Sequence, residues 1–282
     1  MNALAADVRL GPVTLQISNL ERSLGFYEGV LGLVVLARKA GYAELGALDG
    51  APLVTLCEHP GARPVPRRGR LGLYHVALLL PERGALGTFL RHVSAVGVRV
   101  GMADHLFSEA LYLSDPDGLG IEVYADHPRE LWPRVDGELV SDSLPLDTDS
   151  LISAAGGTPY TGMSAGTVVG HVHFYVDNLF QAAAFYERGL GFEATVTSFP
   201  GARFVSAGGY HHHVGFNTWA AGAPLAEVDD ARLLEWQLVV PAEISADIAE
   251  RLGAAGFAPE ALPDGSVRVV DPWRSAVRLV AA

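Results

Sequence analysis

Apolar and polar positions along the chain fall into one pattern that recurs four times. A short apolar run opens each segment, a stretch at helical spacing follows, and short alternating runs bounded by Gly, Pro and Asp complete it. In the first segment VTLQIS (Val13–Ser18) precedes Leu20, Leu24, Tyr27 and Leu31, which keep one helical face apolar. In the second, LGTFLRHVSAVG (Leu86–Gly97) does the same and stops at glycine. Runs such as YAELGAL, LVTLC, ALYLS and GIEVYA have strand character. The spacing predicts four βαβββ modules of an α+β fold, at about residues 10–60, 70–126, 167–218 and 230–282. Two modules form the half 10–126 and two form the half 167–282. Residues 127–166, rich in Pro, Ser, Asp and Gly, read as a long surface linker.

The modules are also repeats in sequence. LERSLGFYEGVLGL (Leu20–Leu33) matches LFQAAAFYERGLGF (Leu179–Phe192) in FYE and LG at identical offsets, 159 residues apart. YLSDPDGLGIEVY (Tyr112–Tyr124) and RVVDPWRSAVRLV (Arg268–Val280) share DP. Alignment on shared residues sets His75 opposite Glu235 and Glu122 opposite Arg278. A four-strand module has bare edges and one apolar face, so modules should pair into curved sheets around a cavity.

Composition narrows the function classes. The chain has 282 residues, 49% apolar and 18% charged, with a net charge of -12 and a pI near 5.2. Such a field repels a phosphate backbone, so no nucleic-acid partner is expected. Cys57 is the only cysteine, which excludes internal disulfides and a cysteine metal cage. The opening MNALAADVRLG lacks a basic then apolar leader, and no apolar run approaches the roughly 20 residues that span a bilayer. A cytoplasmic protein without membrane contact is expected, its homo-oligomeric state open.

Ten histidines raise the question of a metal. Alone, His75 reads as a core histidine in an apolar strand. His171 and His173 share one strand face by the period of two. Matching HV in YHVALLL with HV in GHVHFYV, however, sets His75 and His171 at equivalent positions in two modules. Glu122, flanked by Ile121 and Val123, is either an outward glutamate or a carboxylate needing a cation. Two histidines and one carboxylate form the facial set that leaves open positions on Fe(II); zinc or nickel could occupy it too. His105 and Tyr112 read locally as a loop histidine and a core tyrosine, and Tyr210–His213 (YHHH) as a polar strand edge.

Four βαβββ modules carrying these motifs resemble the vicinal-oxygen-chelate superfamily of glyoxalases, bleomycin-resistance proteins and type I extradiol dioxygenases. The ring-cleaving signature of that family is matched by His105, Leu111, Tyr112, Asp115-Pro116-Asp117-Gly118 and Glu122, with Ala103 at its first small position. HHHVGF resembles the family strand that carries an acid–base histidine, and the match selects His212, with His213 beside it. The resemblance implies His75, His171 and Glu122 as ligands of Fe(II), with Mn(II) as the alternative ion. It implies His212 as the proton-transfer group, with Tyr112 and His105 beside the substrate. The implied reaction is cleavage of a catechol-type diol by O2. A metal-free aromatic-binding or resistance protein, and a metal-dependent glyoxalase-like isomerase or lyase, are the competing readings. Only the second and third modules together hold His, His and Glu. The expectation is therefore that module 2 pairs with 3 and module 1 with 4, two cups nested in sequence.

Overall fold

The computed structural model describes residues 4–282. The first module comprises β1 (Arg9–Ile17), α1 (Leu20–Gly29), β2 (Val34–Lys39), β3 (Tyr42–Gly46) and β4 (Pro52–Glu58). The second holds β5 (Gly72–Leu79), α2 (Arg83–Ala95), β6 (Gly101–Asp104), β7 (Ser108–Ser114) and β8 (Gly120–Asp126). The connection carries a small ribbon, β9 (Arg134–Val135) and β10 (Glu138–Leu139), and the helix α3 (Thr148–Ala154). In the third module β11 (Val168–Tyr175) leads to α4 (Leu179–Ala183), which widens into a π turn (Ala184–Gly189). β12 (Glu193–Val196), β13 (Ala202–Ser206) and β14 (Val214–Asn217) follow. The fourth contains β15 (Arg232–Val240), α5 (Ala242–Ala254), β16 (Glu260–Ala261), β17 (Val267–Val270) and β18 (Ala276–Ala281).

The helices begin where local chemistry allows. Asn19 accepts from the Arg22 amide, and Asn178 accepts from the amides of Phe180 and Gln181, so the same cap opens both FYE helices. Leu20, Leu24 and Tyr27 are buried on α1, and Leu86, Phe89, Leu90 and Val93 on α2.

Within each module the opening strand pairs parallel with the last strand, as β5 does with β8 and β11 with β14. Its free edge then meets another module. β1 pairs antiparallel with β15, and β5 with β11, which gives two eight-stranded sheets. The sheets are thus modules 1 with 4 and modules 2 with 3, the nested arrangement. Pairing of module 1 with 2 and of module 3 with 4, the arrangement that chain adjacency favours, is not found among the described residues.

The repeated motifs join the two cups. The Tyr27 hydroxyl donates to Asp115 (3.2 Å), from the FYE helix of one cup to the DP turn of the other. In mirror fashion, Tyr186 donates to Asp271 (2.7 Å). Each aspartate also holds its own turn: Asp115 accepts from the Asp117 and Leu119 amides, and Asp271 from those of Trp273 and Ser275.

The connection carries more structure than its composition indicates. The Leu151 carbonyl of α3 lies where a Cβ on Gly87 would be, 2.1 Å away, so α3 packs on α2 only because that position is bare. Trp132 and Leu139 are buried with Phe107, Val196 and Phe204 against the second sheet. No helix among the described residues is long and apolar enough to cross a membrane.

The bridging aspartates make stability depend on pH. Burial raises the Asp115 carboxyl to about 7, with the Leu119 and Asp117 amides opposing, and burial raises Asp271 to about 6. The native state thus holds protons that an unfolded aspartate, with a pKa near ~3.9, has released. The stability so contributed is complete below that value and is lost as pH rises through the native one. In urea unfolding, Asp115→Asn should gain stability relative to the parent chain as pH climbs from about 4 to about 7. A difference that stays constant over this range contradicts the assignment.

Candidate metal centre

The register of three strands assembles the site. β8 runs beside β5 with Gly120 next to His75 and Glu122 next to Ala77. On the other side of β5, His173 faces His75 and His171 faces Ala77. Ala77, a small buried side chain, therefore stands between Glu122 and His171, and the His75 imidazole from the adjoining row fits between them. Gly120 permits the close approach, since a Cβ there would meet the Tyr74 carbonyl at 2.1 Å.

His75 Nε2 lies 3.0 Å from Glu122 Oε2, His171 Nε2 lies 3.3 Å from the same oxygen, and the two nitrogens are 3.3 Å apart. Donor atoms bound at about 2.1 Å to one ion and at right angles to one another would be roughly 3 Å apart. The triangle has that size. Its corners are 1–3% exposed, so water screens them little. Burial acts to raise the Glu122 carboxyl, but the facing imidazoles of His171 and His75 outweigh it and hold it well below its usual range. Burial lowers His171 to about 4, against the pull of Glu122. At neutral pH the set thus offers one carboxylate and a neutral His171, the states a divalent cation requires. The Nδ1 atoms of His75 and His171 find no hydrogen-bond partner among the described residues, so no carboxylate stiffens these rings from behind.

His173 shares the face of His171, yet it is engaged otherwise. Asn217 Nδ2 donates to its Nε2 at 2.9 Å, and its ring packs where Gly215 has no Cβ. His212 is buried, with its ring centroid 4.1 Å from that of His171. Its tautomer follows from a chain of bonds. Asp126 accepts from His211 Nε2 (2.9 Å), so His211 Nδ1 must accept, and His212 Nδ1 donates to it (2.7 Å). That leaves the His212 Nε2 lone pair free on a side chain that lines the cavity. Burial, then the charges of His171 and His211, hold the His212 pKa well below the usual range. His213 is tied to backbone instead, accepting from the Ala207 amide.

Tyr112 lies across from Glu122 in the register of β7 and β8. Burial and the Glu122 charge push its hydroxyl well above the usual value, so it keeps its proton. His105 Nδ1 donates to the Asp142 carbonyl (2.7 Å), so its Nε2 accepts from the Tyr112 hydroxyl (2.7 Å). All six residues singled out in the sequence, His75, His171, Glu122, His212, Tyr112 and His105, line one cavity of about 590 Å³. Sequence reasoning missed Asn217, Asp126 and the role of His211. Asn217 and Asp126 come from the ends of β14 and β8, and Tyr210–His213, read from sequence as a strand edge, lies in the connection between β13 and β14.

Among the described residues the other cup holds no such set. Glu235, at the position equivalent to His75, faces Arg268 (3.3 Å) and Arg278 (3.8 Å), so ion pairs fill the place of the ligands.

Comparison with known proteins agrees with this architecture. Residues 9–123 match the family described as Glyoxalase/Bleomycin resistance protein/Dioxygenase superfamily. The chain is 42% identical over 277 residues to a Catechol-2,3-dioxygenase of Bacillus subtilis (strain 168), covering 96% of each. Among solved structures, one from Bacillus subtilis subsp. subtilis str. 168 superposes with a TM-score of 0.67 at 16% identity, over 97% of this chain and 84% of that one. Glyoxalase I from Zea mays gives 0.56 at 14% identity, over 98% and 92%. Those two likenesses concern the fold, whereas the full-length sequence match reaches the enzyme class. The chain belongs to the glyoxalase/bleomycin resistance protein/dioxygenase superfamily and, within it, to the ring-cleaving extradiol dioxygenases.

Proposed function

We propose that the chain opens a catechol-type ring next to one of its two hydroxyl-bearing carbons, using O2 and an Fe(II) ion held by His75, His171 and Glu122. What supports the ligand set is the triangle of about 3 Å that two imidazole nitrogens and one carboxylate oxygen make in a buried cavity. What supports the substrate class is the full-length likeness to a relative named for catechol. When bound, the ion supplies open positions at which the diol and O2 meet, and a charge that favours loss of the diol protons.

The other roles belong to the chain. His212 Nε2, free because Asp126 and His211 fix the tautomer, takes a diol proton and later returns it. Tyr112 keeps its proton beside Glu122, and by turning its hydroxyl from His105 Nε2 toward the substrate it can donate that one proton to negative charge developing on the ring or on oxygen. His105, anchored on the Asp142 carbonyl, orients that hydroxyl. Phe107, Phe204 and Trp219 line the cavity and keep water from the ring.

Anaerobic loading with Fe(II), followed by a panel of catechols in air, should give a yellow semialdehyde-type product. Full turnover by a metal-stripped preparation would remove the reading. Glu122→Ala should lose both retained iron and turnover, an effect larger than the roughly 10–100-fold of a residue behind the ligands. Metal analysis and oxygen uptake check both parts.

Proton transfer separates from metal binding in the next pair of variants. His212→Phe should keep its iron and slow turnover by about 10²–10⁴-fold. Asp126→Asn should slow it less, since an amide can donate to His211 and place the wrong proton on His212. If His212→Phe loses iron instead, the third ligand lies in the HHH segment before β14 and His171 is misassigned.

A further inference from the structure

The charge around the cavity is opposite to that of the chain. Against a net charge of -12, five arginines (Arg67, Arg68, Arg70, Arg99 and Arg232) line the cavity, and Glu122 is the only carboxylate that does so among the described residues. Arg70 is committed to Asp230 at 2.7 Å. The other four form no ion pair among the described residues.

Register puts Arg67, Arg68 and Arg99 toward one end of the sheet of modules 2 and 3. Tyr175, the last residue of β11, is opposite Gly72, the first of β5, and Arg67 and Arg68 precede that strand. Arg99 lies two residues before Gly101, which is opposite Tyr112. Two further features mark this end as prepared for a ligand. The Tyr175 hydroxyl is buried beside the Arg67 guanidinium, and Arg232 Nε is buried with no hydrogen-bond partner among the described residues. Burial pushes the Tyr175 hydroxyl up to about 12, with the Arg67 and Arg68 guanidiniums opposing the rise. Like charges gathered near a buried unsatisfied donor are costly, and an entering anion relieves both costs.

We propose that the diol carries a carboxylate side chain, which Arg67 and Arg68 receive at the cavity mouth, with Arg99 and Arg232 adding to the local field and Tyr175 donating its hydroxyl. The inference rests on the diol-cleaving reading and names its substrate class. The volume fits it, since about 590 Å³ exceeds the needs of a bare catechol ring. The mouth is exposed while the metal triangle is buried, so the charged tail would stay at the rim as the ring enters.

The test compares dihydroxyphenylpropionate with its methyl ester, nearly the same shape without the charge. Calorimetric titration of the purified chain in the absence of O2 should show the acid binding about 10-fold tighter or more, the effect of one charge-assisted bond. The preference should shrink with added salt. Arg67→Gln with Arg68→Gln should abolish it, and the corresponding pair of lysine substitutions should restore part of it. Equal affinity for acid and ester, or a preference that survives the double glutamine variant, overturns the proposal. The parent reading is tested separately by oxygen uptake. A chain that prefers the acid in binding but cleaves no diol refutes the reading and leaves the anion site. Cleavage of both compounds with equal binding does the reverse.

Discussion

The antiparallel pairing of β5 with β11 is the contact on which the site depends. His75 and Glu122 lie in one module and its own strands bring them together, but His171 comes from 96 residues beyond His75. Only when the opening strands of modules 2 and 3 share an edge does His171 stand in the row of Ala77 and Glu122. Backbone pairing of this kind is cooperative, so the triangle of His75, His171 and Glu122 is set by two ladders rather than by side-chain packing alone. A one-residue slip of β11 would turn His171 and His173 to the opposite face together.

The same repeat serves two ends in the two cups. Where one cup keeps imidazoles and a carboxylate, the other keeps Glu235 with Arg268 and Arg278, and Asp264 on Arg278 completes the charge balance. The bond between the FYE tyrosine and the DP aspartate is present in both copies, because it holds the cups together and is indifferent to which of them carries chemistry. Repeat features present in both halves of the chain are thus structural, and those confined to one sheet line the cavity.

Much of this was legible in the sequence, for physical reasons that can be named. Period and punctuation gave the βαβββ modules, since strand and helix periodicities differ. The match of HV between two modules found His171 over His173, and the register of β5 and β11 relates His75 to His171 in the same sense. Nested pairing followed from ligand content, because no other combination of modules held the set. The partners were not legible. Asn217 on His173, Asp126 on His211 and the Asp142 carbonyl on His105 are common polar groups whose roles arise from contacts between distant segments. The helix α3 was hidden for a related reason: seven residues, Thr148–Ala154, carry little periodicity, and what seats them is the bare surface at Gly87.

Anomalous diffraction at the iron edge, from crystals of the Fe(II)-loaded chain grown without O2, addresses the central claim most directly. The account requires one strong peak per chain, about 2.0–2.3 Å from His75 Nε2, His171 Nε2 and a Glu122 carboxylate oxygen. A peak coordinated by the His211–His213 segment, a peak in the cup of Glu235, or no peak in a chain that still cleaves a catechol would contradict it.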